Sequence, residues 1–380
     1  MYLLAFARMP SRWRKYLTFL IAAVVLAFIV YELSHSGALK NFDWRMVAES
    51  VRNANISLLL LAVAAIYVCY AIRALRWMQF SRTLGRTHFW NVYKATLMGF
   101  TCLFLLGRPG EPIRPVLIAK KDSLPVAGMF GVFFLERISD IAATAVLAAV
   151  ALALFQQGGL VNERTAHLLV FARSVGRALL YGLVVTIAVL VYFRFQGARL
   201  LTDFLRNPRW RTGWREKVVV VVEGFSEGLQ AIRTWNDLFL LILYTTLHWT
   251  LVAFVYLWVM RAFGGKLATL HFTDALLVLA FAMVGSVAQL PGVGGGAQAS
   301  TILVLTLIFG VEHEPAVAAS MVVWLIAFAT VCFAGIPLML SEGWSMGDLR
   351  RMVHEQERAS EVVLFEGADQ AADRSEESSR

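Results

Sequence analysis

Three short stretches of this chain combine residue types that can bind and balance charge. In Glu136-Arg137-Ile138-Ser139-Asp140 two carboxylates stand four residues apart, on one face of a helix, and Arg137 is three residues before Asp140 and able to pair with it. In Gly107-Arg108-Pro109-Gly110-Glu111-Pro112-Ile113-Arg114-Pro115, three prolines and two glycines are mixed with Arg108, Glu111 and Arg114. The third stretch is Pro291-Gly292-Val293-Gly294-Gly295-Gly296, followed by Gln298. Guanidinium forks match phosphate oxygens, carboxylates can balance or gate such charge, and freed amides at a half-helix starting near Ala297 favour an anion. The chemistry these types suggest is binding of an anionic, phosphate-like group.

Each stretch also has a plainer reading: an ordinary cytoplasmic loop, a structural ion cluster and a proline-kinked packing helix. Their surroundings bear on the choice. The chain has 380 residues, 58% of them hydrophobic, with apolar runs at 17–31, 58–71, 179–191 and 239–260. A hydrocarbon core of roughly 30 Å needs about 20 helical residues, so the expected fold is an all-α polytopic membrane protein with about eight transmembrane or half-membrane helices. Ionisable residues inside such a fold face the bundle interior or a polar cavity. Non-helical backbone at membrane depth must be buried in protein or line such a cavity.

Lysine and arginine near segment ends set the expected topology, because positive charge stays in the cytoplasm. A basic N-terminus, 1–15, holds Arg8, Arg12, Arg14 and Lys15 and precedes a first span at 16–33. A second span at 56–78 returns to a loop counted as holding Arg73, Arg76, Arg82, Arg86 and Lys94. The apolar segment 92–106 is basic on both flanks, so the region 92–115 is expected to dip in and come back. Spans at 125–155 and 178–193 follow, then a loop with seven bases between 194 and 217, an amphipathic interfacial helix at 215–233 and a span at 238–260. The glycine-rich break makes 272–309 a second broken or re-entrant region, and a last span at 316–340 leads to an acidic tail, 341–380. Both termini are thus expected in the cytoplasm, with residues 16–340 as one membrane domain. The tail holds ten acidic residues and five arginines and reads as disordered.

Several chemistries are set aside at this level. Cys69, Cys102 and Cys332 are far apart, and no His-x-x-x-His pair occurs, so no metal or cofactor is expected. Gly224-Phe225-Ser226-Glu227-Gly228 has nucleophile-elbow spacing but falls in the amphipathic helix, without the strand-turn-helix setting the elbow needs. Gly292-x-Gly294-x-x-Ala297 has dinucleotide spacing but joins apolar helical segments rather than a strand and a helix. The net charge of +9 sits in short loops between apolar runs, a pattern of topology and anionic lipid rather than nucleic acid.

Taken together, Arg73-Ala74-Leu75-Arg76-Trp77, the 107–115 run, Glu136-Arg137-Ile138-Ser139-Asp140 and Pro291-Gly292 with Gly295 resemble the lysylphosphatidylglycerol synthase/flippase transmembrane family over about residues 15–340. That is the membrane half of the bacterial multiple peptide resistance factor and its stand-alone relatives. Two departures stand out: Val293 replaces a glycine of the late motif, and Gln298 takes the place of a glutamate. The bifunctional relatives carry a soluble aminoacyl-transferase domain, whereas 40 residues follow Leu340 here, so aminoacyl transfer is not part of what the resemblance implies. It does imply a lipid transporter of the bacterial inner membrane, acting on a phospholipid, aminoacyl-lipid or hopanoid-type lipid. The substrate-binding residues expected are Arg73, Arg76, Arg108, Glu111, Arg114, Glu136, Arg137, Asp140, Pro291, Gly292, Gly295 and Gln298. An anionic lipid headgroup is the expected partner, and a homo-oligomer is compatible with it. The alternatives are a membrane-embedded glycosyl or group transferase acting on a lipid-phosphate carrier, and a structural subunit of an envelope complex.

Overall fold

Long apolar segments in lipid must satisfy their own backbone groups, and this chain does so with helices. The computed structural model describes residues 43–107, 110–154, 181, 234–286, 289–290 and 294–343. The basic N-terminus, the expected span at 16–33, that at 178–193 apart from Tyr181, the amphipathic stretch 215–233 and the tail beyond Gly343 lie outside the described residues, as do Arg108, Pro291 and Gly292.

The helices are α1 (Trp44–Arg52), α2 (Ile56–Ser81), α3 (Phe89–Leu106), α4 (Ile113–Lys121), α5 (Val126–Leu154), α6 (Trp235–Ala262), the single turn α7 (Gly265–Ala268), α8 (Phe272–Gly285), α9 (Gly296–Leu307), α10 (His313–Trp324) and α11 (Val331–Ser341). Polar caps fix their starts. The Asn55 side chain accepts from the amides of Ser57 and Leu58, and Thr234 and Asp237 form a reciprocal box on α6. Among the described residues four helical stretches are long and apolar enough to cross a membrane: Ile56–Ser81, Phe89–Leu106, Trp235–Ala262 and the continuous His313–Ser341. The protein is an all-α, multi-pass membrane protein.

The pair α2 and α6 makes the most extensive contact in the bundle. The two run antiparallel: Asn55 N–H donates to Ala262 O at one end, and Gln79 donates to Asp237 at the other. These ends are called upper and lower below. The lower end also carries an ion pair between Lys121 and Glu342, which ties α4 to α11.

Two helical hairpins enter this frame from opposite ends. The first is α3 and α4. The Asn91 side chain donates to Asp122 at 2.7 Å, so the start of α3 and the end of α4 share the lower end. Gly107, at φ +75°, turns the chain at the tip, and Gly110 lies so close to the Cys102 carbonyl that a Cβ there would meet it at 2.4 Å. The helix α3 begins at Phe89, three residues before the expected segment, and Arg114 and Pro115 lie in the first turn of α4 rather than in a loop.

The second hairpin is α8 and α9. Arg261 donates to Leu270 O and Lys266 donates to Gly310 O, which sets both of its ends at the upper end. Its tip is a minimal antiparallel pairing of Gln289–Leu290 with Gly294–Gly295, a tighter device than the helix break expected. Both tips reach the same turn of α10. The Phe104 ring is 5.5 Å from Trp324, and Ser320 Oγ, one turn away, donates to Gln298 O at 3.0 Å. Directly after Trp324 the helix widens into a π-turn, Leu325–Ala329. There Tyr67 and Tyr70 hydroxyls donate to the carbonyls of Thr330 and Ala327.

Candidate functional site

On α2, Arg73 and Arg76 are three residues apart and share a face. Arg73 stands eight residues above the lower end of that helix, about 12 Å along its axis. On α5, Glu136 and Asp140 stand at a similar depth, four residues apart, so the two ladders meet. Arg73 Nη1 donates to Glu136 Oε1 at 3.1 Å and to Asp140 Oδ2 at 3.2 Å. Arg76 Nη2 donates to Glu136 Oε1 at 3.1 Å and to Asp140 Oδ1 at 2.8 Å. From α4, Arg114 forks onto both oxygens of Glu136. Arg137 Nη2 reaches Glu136 Oε2 at 3.4 Å and Asp140 Oδ2 at 3.3 Å. Glu136, with 0% exposure, is the hub of four guanidinium groups.

Aromatic rings and α6 complete the enclosure. The Arg114 guanidinium lies 4.3 Å from the Trp77 ring centroid, and Arg73 lies 5.0 Å from Phe100. Thr245 Oγ1 accepts from Arg76 at 3.2 Å. His248 Nε2 is 3.0 Å from Arg73 Nη2.

Donors outnumber acceptors in this cluster. Four guanidiniums, each with five N–H groups, face the three carboxylates of Glu111, Glu136 and Asp140, a formal balance of +1. Arg73 Nε, Arg76 Nε, Arg137 Nε, Trp77 Nε1 and His248 Nδ1 are buried without an acceptor among the described residues. A buried donor left unpaired costs about 1–3 kcal/mol, so the cluster holds a standing demand for oxygen atoms.

One edge is open. The Arg137 side chain is 33% exposed and Glu111 24%, while Arg76, Arg114 and Glu136 are almost fully covered. Arg137 Nη1 and Glu111 Oε2 are 3.7 Å apart, the longest ion pair of the group. Together with Gly99, Phe100, Leu103, Arg114 and Phe133 they line a small cleft beside the first hairpin. Gly99 is required there: its α-carbon lies so close to α4 that a Cβ would meet Arg114 Cβ at 2.6 Å. Among the described residues no group of three His, Cys, Asp or Glu side chains is placed to hold a metal ion.

Every member of this cluster falls inside a stretch shared with one protein family, since the profile described as lysylphosphatidylglycerol synthase TM region matches residues 16–335. The chain belongs to the lysylphosphatidylglycerol synthase TM region family. Membership points to a function on membrane lipid. No curated protein matches the chain.

In this lysylphosphatidylglycerol synthase TM region protein, Arg73, Arg76, Glu111, Arg114, Glu136, Arg137 and Asp140 converge, although they come from three separate stretches of the sequence. One expectation is corrected. Arg73 and Arg76 were expected in a cytoplasmic loop; they lie inside α2 and are buried, held there by carboxylates more than 60 residues away. Arg114 lines the cleft while its side chain is almost fully covered, stacked on Trp77 and forked onto Glu136. Gly295 and Gln298 are not members of the cluster. Gln298 Oε1 accepts from the Gly295 amide at 2.6 Å, so the side chain occupies a helix-end donor itself. Two partners were not foreseen, Thr245 and His248. A histidine in the middle of the apolar run 239–260 was the available signal, since ionisable residues at membrane depth are functional by default.

Proposed function

We propose that this protein moves a lipid with an anionic phosphate headgroup between the leaflets of the bacterial inner membrane, with the lower end of the bundle in the cytoplasm. The observation that carries this reading is the buried excess of N–H donors around Glu136, with a single half-open edge at Arg137 and Glu111. A phosphate oxygen entering the cleft displaces Glu111 from Arg137, the most weakly held contact, and turns toward the unpaired donors. Phe100, Leu103 and Phe133 line the same cleft and suit the first methylenes of the lipid.

The two hairpins support a way across. On this reading the α3–α4 hairpin dips in from the cytoplasmic face and the α8–α9 hairpin from the opposite face. Their tips share one turn of α10, so a shift of Ser320–Trp324 at the adjoining π-turn closes one side as it opens the other. Gly295 and Gln298 then act in the outer hairpin rather than on the headgroup; Arg114 and Arg137 line the binding cleft, with Arg73, Arg76 and Asp140 behind them.

The test is reconstitution of the full chain into vesicles containing headgroup-labelled phosphatidylglycerol or phosphatidylcholine, with a membrane-impermeant quencher reporting outer-leaflet label. The expected result is translocation of the phosphatidylglycerol probe at least tenfold above protein-free vesicles. A rate equal to protein-free vesicles for both probes overturns the proposal.

A further inference from the structure

His248 has no place in that account, yet its surroundings are unusual. It is buried, and its Nε2 stands 3.0 Å from Arg73 Nη2. Arginine is a donor only and does not lose its proton in proteins, so Nε2 must be accepting. The ring is therefore neutral, its proton is on Nδ1, and that N–H has no acceptor among the described residues. A neutral tautomer is enforced by one neighbour and rewarded by nothing else. The groups facing the ring from α2 are Arg73, Arg76 and Cys69, whose Sγ lies 3.9 Å from His248 O. From α5 they are Glu136 and Asp140, which share Arg73 with it, while Arg76 bonds both carboxylates and Thr245. The other helices packed on α6, namely α7, α8 and α10, carry their ionisable side chains, Lys266, Asp274, His313 and Glu314, at the upper end.

Among the described residues Arg73 is thus the single hydrogen-bonded link between His248 and the carboxylates: Nη2 on the imidazole, Nη1 on Glu136 and Asp140. If a phosphate draws the Arg73 fork toward itself, His248 Nε2 loses its donor and Asp140 loses part of its positive neighbourhood at once. A proton then fills the vacated position.

We infer that His248 takes up one proton when the anionic headgroup binds, so that the lipid phosphate and a proton are loaded together. This rests on the transport reading above and names its coupling ion. The step is a simple one: a new N–H bond forms at Nε2, the proton comes from water on the side to which the site is open, and the imidazolium replaces Arg73 beside Asp140. The negative charge brought by a phosphodiester is balanced by the positive charge gained at His248, and the loaded site keeps its formal charge. Release of the headgroup returns Arg73 to Nε2 and expels the proton on the other side.

The sign of the linkage is fixed. The bound state holds one proton more than the free state, so affinity rises as pH falls, by up to tenfold per pH unit while His248 is neutral in the free protein and charged in the complex. The experiment uses the purified full chain in detergent with dihexanoyl phosphatidylglycerol as probe, recording affinity between pH 6 and pH 8 and proton uptake with an indicator dye in weak buffer. In the wild type, uptake of about one proton per probe bound and a pH-dependent affinity are expected. In His248→Gln the amide oxygen still accepts from Arg73 but cannot titrate, and both signals are expected to vanish while binding persists; His248→Asn is the second variant should the first not fold. Proton uptake that persists unchanged in either variant overturns the inference, as does binding to the wild type without uptake. Failure of the wild type to bind the probe at any pH is a different outcome and overturns the transport reading itself.

Discussion

Glu136→Ala is expected to leave little folded protein. The carboxylate has no exposure and accepts from Arg73, Arg76, Arg114 and Arg137. Removing it leaves four buried or half-buried cations with Asp140 and Glu111 as their remaining anions. Breaking a buried pair by deleting one partner costs about 3–5 kcal/mol, a large fraction of the stability of an ordinary domain. The measurement is the recovery of monodisperse protein and its thermal midpoint in detergent. A second substitution separates charge from packing. Arg114 forks onto Glu136 and stacks on Trp77, so Glu136→Ala combined with Arg114→Met removes one stranded cation while keeping an apolar chain on the ring. The double variant is expected to regain part of the lost midpoint, because replacing a whole buried pair by apolar groups is often close to neutral. A double variant worse than both single ones contradicts the hub role.

Arg137→Gln is expected to act on function instead of fold. Its side chain is one-third exposed, and its contacts to Glu136, Asp140 and Glu111 are the longest in the cluster, 3.3 to 3.7 Å. Losing them leaves three guanidiniums facing three carboxylates, and Glu136 keeps Arg73, Arg76 and Arg114, so the folded state loses little. The same guanidinium is the contact an incoming phosphate meets first, and a charge-assisted hydrogen bond of about 1.5–3 kcal/mol corresponds to a tenfold to hundredfold loss of headgroup binding. Translocation of labelled phosphatidylglycerol is therefore expected to fall at least tenfold with the thermal midpoint unchanged within about two degrees. Glu111→Gln should move the other way. It removes the anion that competes for Arg137 and raises probe affinity several-fold. Equal effects of the two substitutions would show that the open edge does not face the lipid.

Much of the architecture is legible before any coordinates, for a physical reason. Lipid forces long apolar helices, so α2, α5, α6 and the His313–Ser341 stretch follow from run length alone. The hairpin α3–α4 falls on the short apolar run with basic residues on both sides, and Gly107 turns the chain at its tip. What composition does not carry is which charges are loop markers and which are partners. Arg73 and Arg76 look like part of a basic cytoplasmic patch with Arg82 and Arg86. Only the depth of Glu136 and Asp140 on α5 pulls them inside, and that pairing spans more than 60 residues. Close approaches are equally hidden. Gly335 packs so tightly on α3 that a Cβ would overlap Thr101 Oγ1, a constraint of tertiary geometry that a glycine in an apolar run does not announce. Thr245 and His248 were overlooked because they sit singly in an apolar run; their role comes from the helix α2 laid antiparallel to them.

The central claim is that the cluster around Glu136 has more buried donors than acceptors and is completed by an anionic headgroup. The most direct measurement is the thermal midpoint of the purified protein in neutral micelles doped with phosphatidylglycerol or with phosphatidylcholine at equal mole fraction. A ligand that binds only the folded state raises its stability by mass action, about 2.7 kcal/mol at a hundredfold excess over its dissociation constant. The account predicts a rise of several degrees with phosphatidylglycerol, little with phosphatidylcholine, and loss of the difference in Arg137→Gln. Equal midpoints in the two lipids for the wild type would contradict it.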